Sequence, residues 1–176
     1  MSRTLKWTLS GAVFTMITGT LLHFAYEWFG GTFWSIIGAV NESTWEHLKL
    51  LFFPMVIFGV VEYLTYGKEY SNFIPVRILS ILIGMASIVI IFYTYTGILG
   101  YNIAFIDIAT FFVGVILAYW ISYRLLITES PSLTSTATRT LFLAILVLLL
   151  IAFITWTFSP PKIALFLDPV SGQYGI

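Results

Sequence analysis

A chain of 176 residues that is 59% hydrophobic and only 9% charged does not have the make-up of a water-soluble domain. Its eight basic and eight acidic residues cancel to a formal net charge of zero, and no basic run offers a footing for nucleic acid. The absence of cysteine excludes disulfides, thiolate metal sites, cysteine nucleophiles and iron–sulfur clusters together, so any metal must be held by His, Asp or Glu.

About 20 helical residues cross a hydrocarbon core of roughly 30 Å. Five segments are long and apolar enough: residues 5–28, 42–66, 73–97, 103–127 and 139–158. They predict an all-α integral membrane protein, a single membrane domain built as a bundle of five transmembrane helices. The first follows MSRTLK, has no small-x-small cleavage site after it, and reads as a retained signal anchor. Residues 30–41, GGTFWSIIGAVN, are too apolar for a solvated loop and too short to span. They predict an interfacial or re-entrant turn that covers what its flanking helices hold.

The second segment opens with Ser43 and Glu46 at capping-box spacing and contains Pro54, which removes a backbone hydrogen bond and predicts a kink near Leu50. In the third, Asn72 is a candidate cap with Pro75 in the first turn. Ser80 with Gly84, and Gly114 with Ala118 in the fourth, are small pairs at helix-packing spacing. Pro160 and Pro161 stop the fifth, and the tail 159–176, with its apolar IALFL and an Asp168–Pro169 turn, is expected to fold back as a lid. Trp28, Trp34 and Trp45 at one border, and Tyr119, Trp120 and Tyr123 at the other, read as interface belts.

Lys and Arg set orientation. Arg3 and Lys6 precede the first segment, Lys68 and Arg77 flank the second connection, and Arg124 and Arg139 flank the fourth. Since basic residues stay on the cytoplasmic side, the N-terminus is expected in the cytoplasm and the C-terminus outside, in a multi-pass protein of the cell (inner or plasma) membrane.

This orientation predicts depth. His23 lies about 9 Å inside the outer end of the first helix and His47 about 9 Å inside that of the second, at a rise of 1.5 Å per residue. Asp107 falls at the same end of the fourth. His23 and Glu27 share a face at i, i+4, while Glu42 and Glu46 are like charges one turn apart unless a proton, a cation or Lys49 separates them. Intramembrane ionisable groups are candidates for function. Plainer roles stand beside this: Glu42 as a first-turn acid on the helix dipole, the histidines as interhelical glue, and Glu62 paired with Arg77 or Lys68.

Two imidazoles and a carboxylate suit a divalent metal such as zinc with an open position for water. The ligand set read from the sequence is His23, Glu27 and His47, with Glu46 as general base and Asn41 polarising a substrate carbonyl. Glu42, Ser43, Lys49, Asp107 and Asp168 form a secondary polar layer. The activity expected is metal-dependent hydrolysis of a lipid or small molecule, although no established zinc motif such as HExxH is present. The alternatives are a proton- or cation-coupled transporter or channel subunit, and a non-catalytic subunit that binds a lipid or a membrane partner. Beyond the lipid bilayer, a second copy of the chain or another membrane protein is the partner expected.

At NESTWEHLKLLFFP, residues 41–54, the chain resembles a family of small prokaryotic integral-membrane proteins of unknown function, with an N-E-S-x-W-E-H-x-K signature after the first span. The resemblance covers the whole chain, including the LDPVSGQYGI ending. It implies that Asn41, Glu42, Ser43, Trp45, Glu46 and His47 are the family's distinguishing positions, and it supplies no reaction. Against the seven-helix alkaline ceramidases and receptor-like hydrolases, with zinc on three His, this chain has two helices and one His too few.

Overall fold

A computed structural model describes residues 1–129 and 131–176. Among the described residues six α-helices form: α1 (Arg3–Phe29), α2 (Gly31–Ile37), α3 (Thr44–Thr65), α4 (Phe73–Leu99), α5 (Ala104–Thr128) and α6 (Thr136–Phe158). All but α2 are long and apolar enough to cross a membrane. No β-strand is formed among the described residues, beyond a single bridge between Leu167 and Tyr174.

The outward faces are apolar. Leu9, Val13, Ile17 and Leu21 run down α1, Ile116 and Trp120 lie on α5, and Val147, Leu148 and Ile151 lie on α6, all exposed. In water such faces would be untenable; against lipid they need no cover. The interior is a cluster around Trp45, Leu51, Phe52, Met85, Val115 and Phe153. α4 and α5 make the closest pairing, where a Cβ on Gly84 would stand 2.9 Å from that of Ala118 and 3.1 Å from the Gly114 carbonyl. Small residues let these two backbones approach, the device expected where helices associate by van der Waals contact. α6 is peripheral, with only Phe153 and Thr157 buried.

Gly30 (φ 61°) and Gly31 (φ 78°) turn the chain from α1 into α2, and the segment 30–41 resolves into one seven-residue helix plus a loop that runs into Ser43. The Ser43 Oγ caps α3 by accepting from the Glu46 amide at 3.4 Å. The reciprocal half of the capping box is missing, because the Glu46 carboxylate accepts from the Val40 amide and from Lys49 instead. Asn72 occupies its predicted N-cap position without a capping bond, since its Nδ2 donates to the Leu125 carbonyl and ties α4 to α5.

Pro54 acts as its chemistry requires. It has no N–H for the Leu50 carbonyl one turn earlier. That freed oxygen faces Gly19, where a Cβ would stand only 2.4 Å away. The hydrogen Gly19 carries in place of a Cβ therefore points at Leu50 O, a weak Cα–H···O contact that brings α1 and α3 together.

Two members of the predicted aromatic belts are interior. Trp45 is buried among Phe153, Trp156 and Phe166, and Tyr119 is buried with its hydroxyl on Thr15. Trp28 and Trp120 lie on the exposed surface.

A candidate His/Glu site and the latch behind it

The polar stretch 40–49 divides into two halves because α3 begins only at Thr44. Glu42 stands before the cap, so the helical face it would share with Glu46 and Lys49 does not exist. Glu42 swings to one side and the later pair turns to the other.

On the inward side, Lys49 is fully buried and Glu46 almost so. The Lys49 ammonium donates to Glu46 Oε2 at 2.5 Å, to Thr157 Oγ1 at 2.5 Å, to the Ser35 carbonyl at 2.9 Å and to the Gly38 carbonyl at 3.4 Å. One cation thus fastens α2, the following loop and α6 to α3. A charge so buried is tolerable only when paired and hydrogen bonded, as this one is.

On the other side, His47 Nδ1 lies 2.9 Å from the Ser43 carbonyl. A carbonyl can only accept, so Nδ1 carries the proton and Nε2 of the neutral ring has a free lone pair. That Nε2 is 3.4 Å from Glu42 Oε2, while Glu42 Oε1 is 3.9 Å from His23 Nε2. The two imidazole centroids are 5.1 Å apart. One ligand atom from each of His23, Glu42 and His47 lies within 4.8 Å of the others. Two acceptors facing across 3.4 Å need a positive charge between them, either a proton or a metal ion.

When a proton fills that gap, the hydrogen bond from the His47 imidazolium holds the Glu42 carboxyl below the usual carboxylate range, against partial burial that would raise it. His23 Nδ1 is buried without a hydrogen-bond partner among the described residues, so packing on Phe24, at 4.7 Å between centroids, orients that ring. Beside the cluster lies a cavity of about 140 Å³. Glu42, His47, Asn102, Asp107 and Thr110 supply its polar wall, and Leu50, Ile88, Phe92 and Phe111 supply its apolar wall.

Asp107, in the first turn of α5, accepts from the Tyr95 hydroxyl and from Asn102 Nδ2 at 2.9 Å. The tail closes the same end of the bundle: Pro169 and Val170 line the cavity, Asn41 Nδ2 donates to the Gly175 carbonyl at 2.9 Å, and the Ile176 amide donates to the Thr157 carbonyl. Burial alone would raise the Asp168 carboxyl, but bonds from the Ser171 hydroxyl and from the amides of Val170, Ser171 and Glu42 hold it below its ordinary value. This carboxylate joins the tail to the loop that presents Glu42.

A family model described as "Family of unknown function (DUF6512)" matches residues 1–176. The chain belongs to that family. No curated protein and no solved structure matches it.

The two histidines, from α1 and α3, do meet. The carboxylate beside them is Glu42; Glu27 is exposed and outside the group. Glu46, expected as the base, is bound to Lys49, and Asn41, expected to polarise a substrate, spends its amide on Gly175 and accepts from the Ser43 amide at 2.9 Å. Ser43 is a buried cap. Thr157 and Ser35, which complete the Lys49 cage, were not foreseen: no periodicity links a threonine near the end of α6 to a lysine 108 positions earlier.

Proposed function

We propose that this DUF6512 chain is a multi-pass membrane protein that binds a divalent metal ion, zinc by preference, through His23, Glu42 and His47, and uses it to hydrolyse a lipid or small amphipathic substrate. The observation that supports this best is the pairing of a fixed tautomer with a facing carboxylate. Metal-bound histidines commonly donate their other ring N–H to a carbonyl or carboxylate, as His47 does to Ser43. Two His and one carboxylate leave a zinc ion a fourth position for water. Glu42 and His47 also line the cavity, where Asp107 would be the carboxylate available as a general base in place of Glu46. The mixed lining suits a substrate with an apolar chain and a polar scissile bond.

Orientation belongs to the same reading. Arg3, Lys6, Lys68, Arg77, Arg124 and Arg139 gather at one end of the bundle, as contacts such as Arg3 with Glu69 and Arg139 with Tyr63 bear witness, while the His/Glu end has only Lys49 and Lys162. The basic end is then cytoplasmic and the site faces outward from the cell membrane.

The transport reading draws on the buried Glu62–Arg77 pair near the basic end, a second ionisable group on a route through the bundle. Against it, the close-packed cluster of Leu51, Phe52, Val115 and Phe153 occupies the space between the two polar regions.

Elemental analysis of protein purified without chelator tests the proposal. The wild type is expected to hold about one zinc per chain, and H23A, H47A and E42Q to lose it. A metal-free wild type that also fails to take up added zinc overturns the metal site. Protein that holds zinc and carries a proton gradient in vesicles, but cleaves no ester or amide, moves the function to transport.

A further inference from the structure

At the basic end of the bundle a second cavity, of about 190 Å³, runs between α3, α4 and α6. We infer that this groove is a binding site for one anionic phospholipid, independent of the metal site. The backbones of α3 and α6 scarcely approach each other while α4 packs on both, which leaves the furrow. Its walls are almost wholly apolar, with Met55, Gly59, Ile81 and Leu146 among them. Val60, Leu64 and Leu143, which also line it, are exposed, so the groove opens sideways toward lipid. From Tyr63 to Met55 it follows α3 for about 12 Å, a length suited to an acyl chain.

The headgroup end is where charge appears. Tyr63 lines the groove two residues before α3 ends. Lys68 Nζ sits 5.8 Å from the centre of its ring, and Arg139 Nη2 is 3.4 Å from its hydroxyl. Both cations are exposed, and neither is paired with a carboxylate among the described residues. Arg3, close by, is different, because Glu69 neutralises it at 2.7 Å. Arg77 lines the groove near the same level. Its two terminal nitrogens are used on Ser122, Glu62 and Tyr66, but its Nε–H has no acceptor among the described residues.

An apolar furrow that faces the bilayer, with two uncompensated cations at the level of the helix ends, matches an acyl chain below a phosphate. A partner helix would need a broad stripe of small residues to approach so closely. This wall offers only Gly59, where a Cβ would meet nothing within 4 Å.

The test is native mass spectrometry of the full chain in a neutral detergent, titrated with phosphatidylglycerol or with phosphatidylcholine of matched chains. One phosphatidylglycerol is expected to stay bound in preference to phosphatidylcholine. Each Lys or Arg near an anionic surface is worth about five-fold, so K68A/R139A should weaken phosphatidylglycerol about 30-fold and erase the preference. G59F, which fills the furrow without striking the protein, should abolish retention of either lipid at an unchanged melting temperature. Equal binding of the two lipids, or binding by G59F as tight as wild type, overturns the inference. So does a dimer that G59F dissociates, since the groove then belongs to a second copy.

Discussion

Replacing Lys49 by Met should cost more stability than any surface change. The substitution keeps the length of the side chain and removes its charge. It strands the Glu46 carboxylate in an environment where the pair is essentially inaccessible, and it deprives the Ser35 and Gly38 carbonyls and Thr157 Oγ1 of their shared donor. Breaking a buried ion pair from one side costs about 3–5 kcal/mol. At about 2–4 °C per kcal/mol for a chain of this size, the melting temperature should fall by about 6–20 °C. Thermal unfolding in detergent, followed by fluorescence-detected size exclusion, reads this directly. The double variant E46Q/K49M should recover a good part of the loss, because it leaves no uncompensated charge. A K49M protein that melts within about 0.5 kcal/mol of wild type, the range of an ordinary surface substitution, would refute the view that this cation is the latch.

Three further outcomes follow from the contacts described. E27Q should retain bound zinc where E42Q loses it, by elemental analysis; equal loss in both would return Glu27 to the ligand set. Asn41→Ala removes two hydrogen bonds, worth about 1–3 kcal/mol together, and hydrogen exchange should speed up over residues 168–176 while α1 stays protected. R77M should destabilise by about 3–5 kcal/mol, since Glu62 is buried and Arg77 is its only cationic partner among the described residues; unfolding of R77M beside R77M/E62Q would show the second change restoring stability, and no such rescue would count against the pair.

Much of the bundle was legible because helices long and apolar enough to cross a membrane leave an unambiguous mark on sequence. Runs of apolar residues broken by Gly, Asn and Pro gave five spans whose limits fall within a few residues of the helices. That His23 and His47 lie toward the same end of the bundle was legible too, although His47 stands three residues into α3 rather than the six expected. What could not be read was where α3 begins. Treating Glu42 as helical put it on a face with Glu46 and Lys49, whereas two residues of non-helical chain before Thr44 rotate it toward the imidazoles. The division of labour between Glu42 and Glu46 turned on that local choice of backbone angle. The fate of Asn41 depended on a tail 134 positions away, a contact that no local pattern encodes.

The approach of Gly19 to the freed carbonyl of Leu50 gives position 19 the character of a gauge block. His23 follows one turn later on α1, and His47 stands three residues before Leu50 on α3. Whatever separates the two backbones at this crossing therefore separates the two rings. Even an alanine methyl would have to find room where 2.4 Å is available. The space between the imidazoles, where the proposed ion would sit, is thus set by an atom that is not there, on a residue with no chemistry of its own. Other members of the family that carry a larger side chain at this position should hold their histidines too far apart to share one ion.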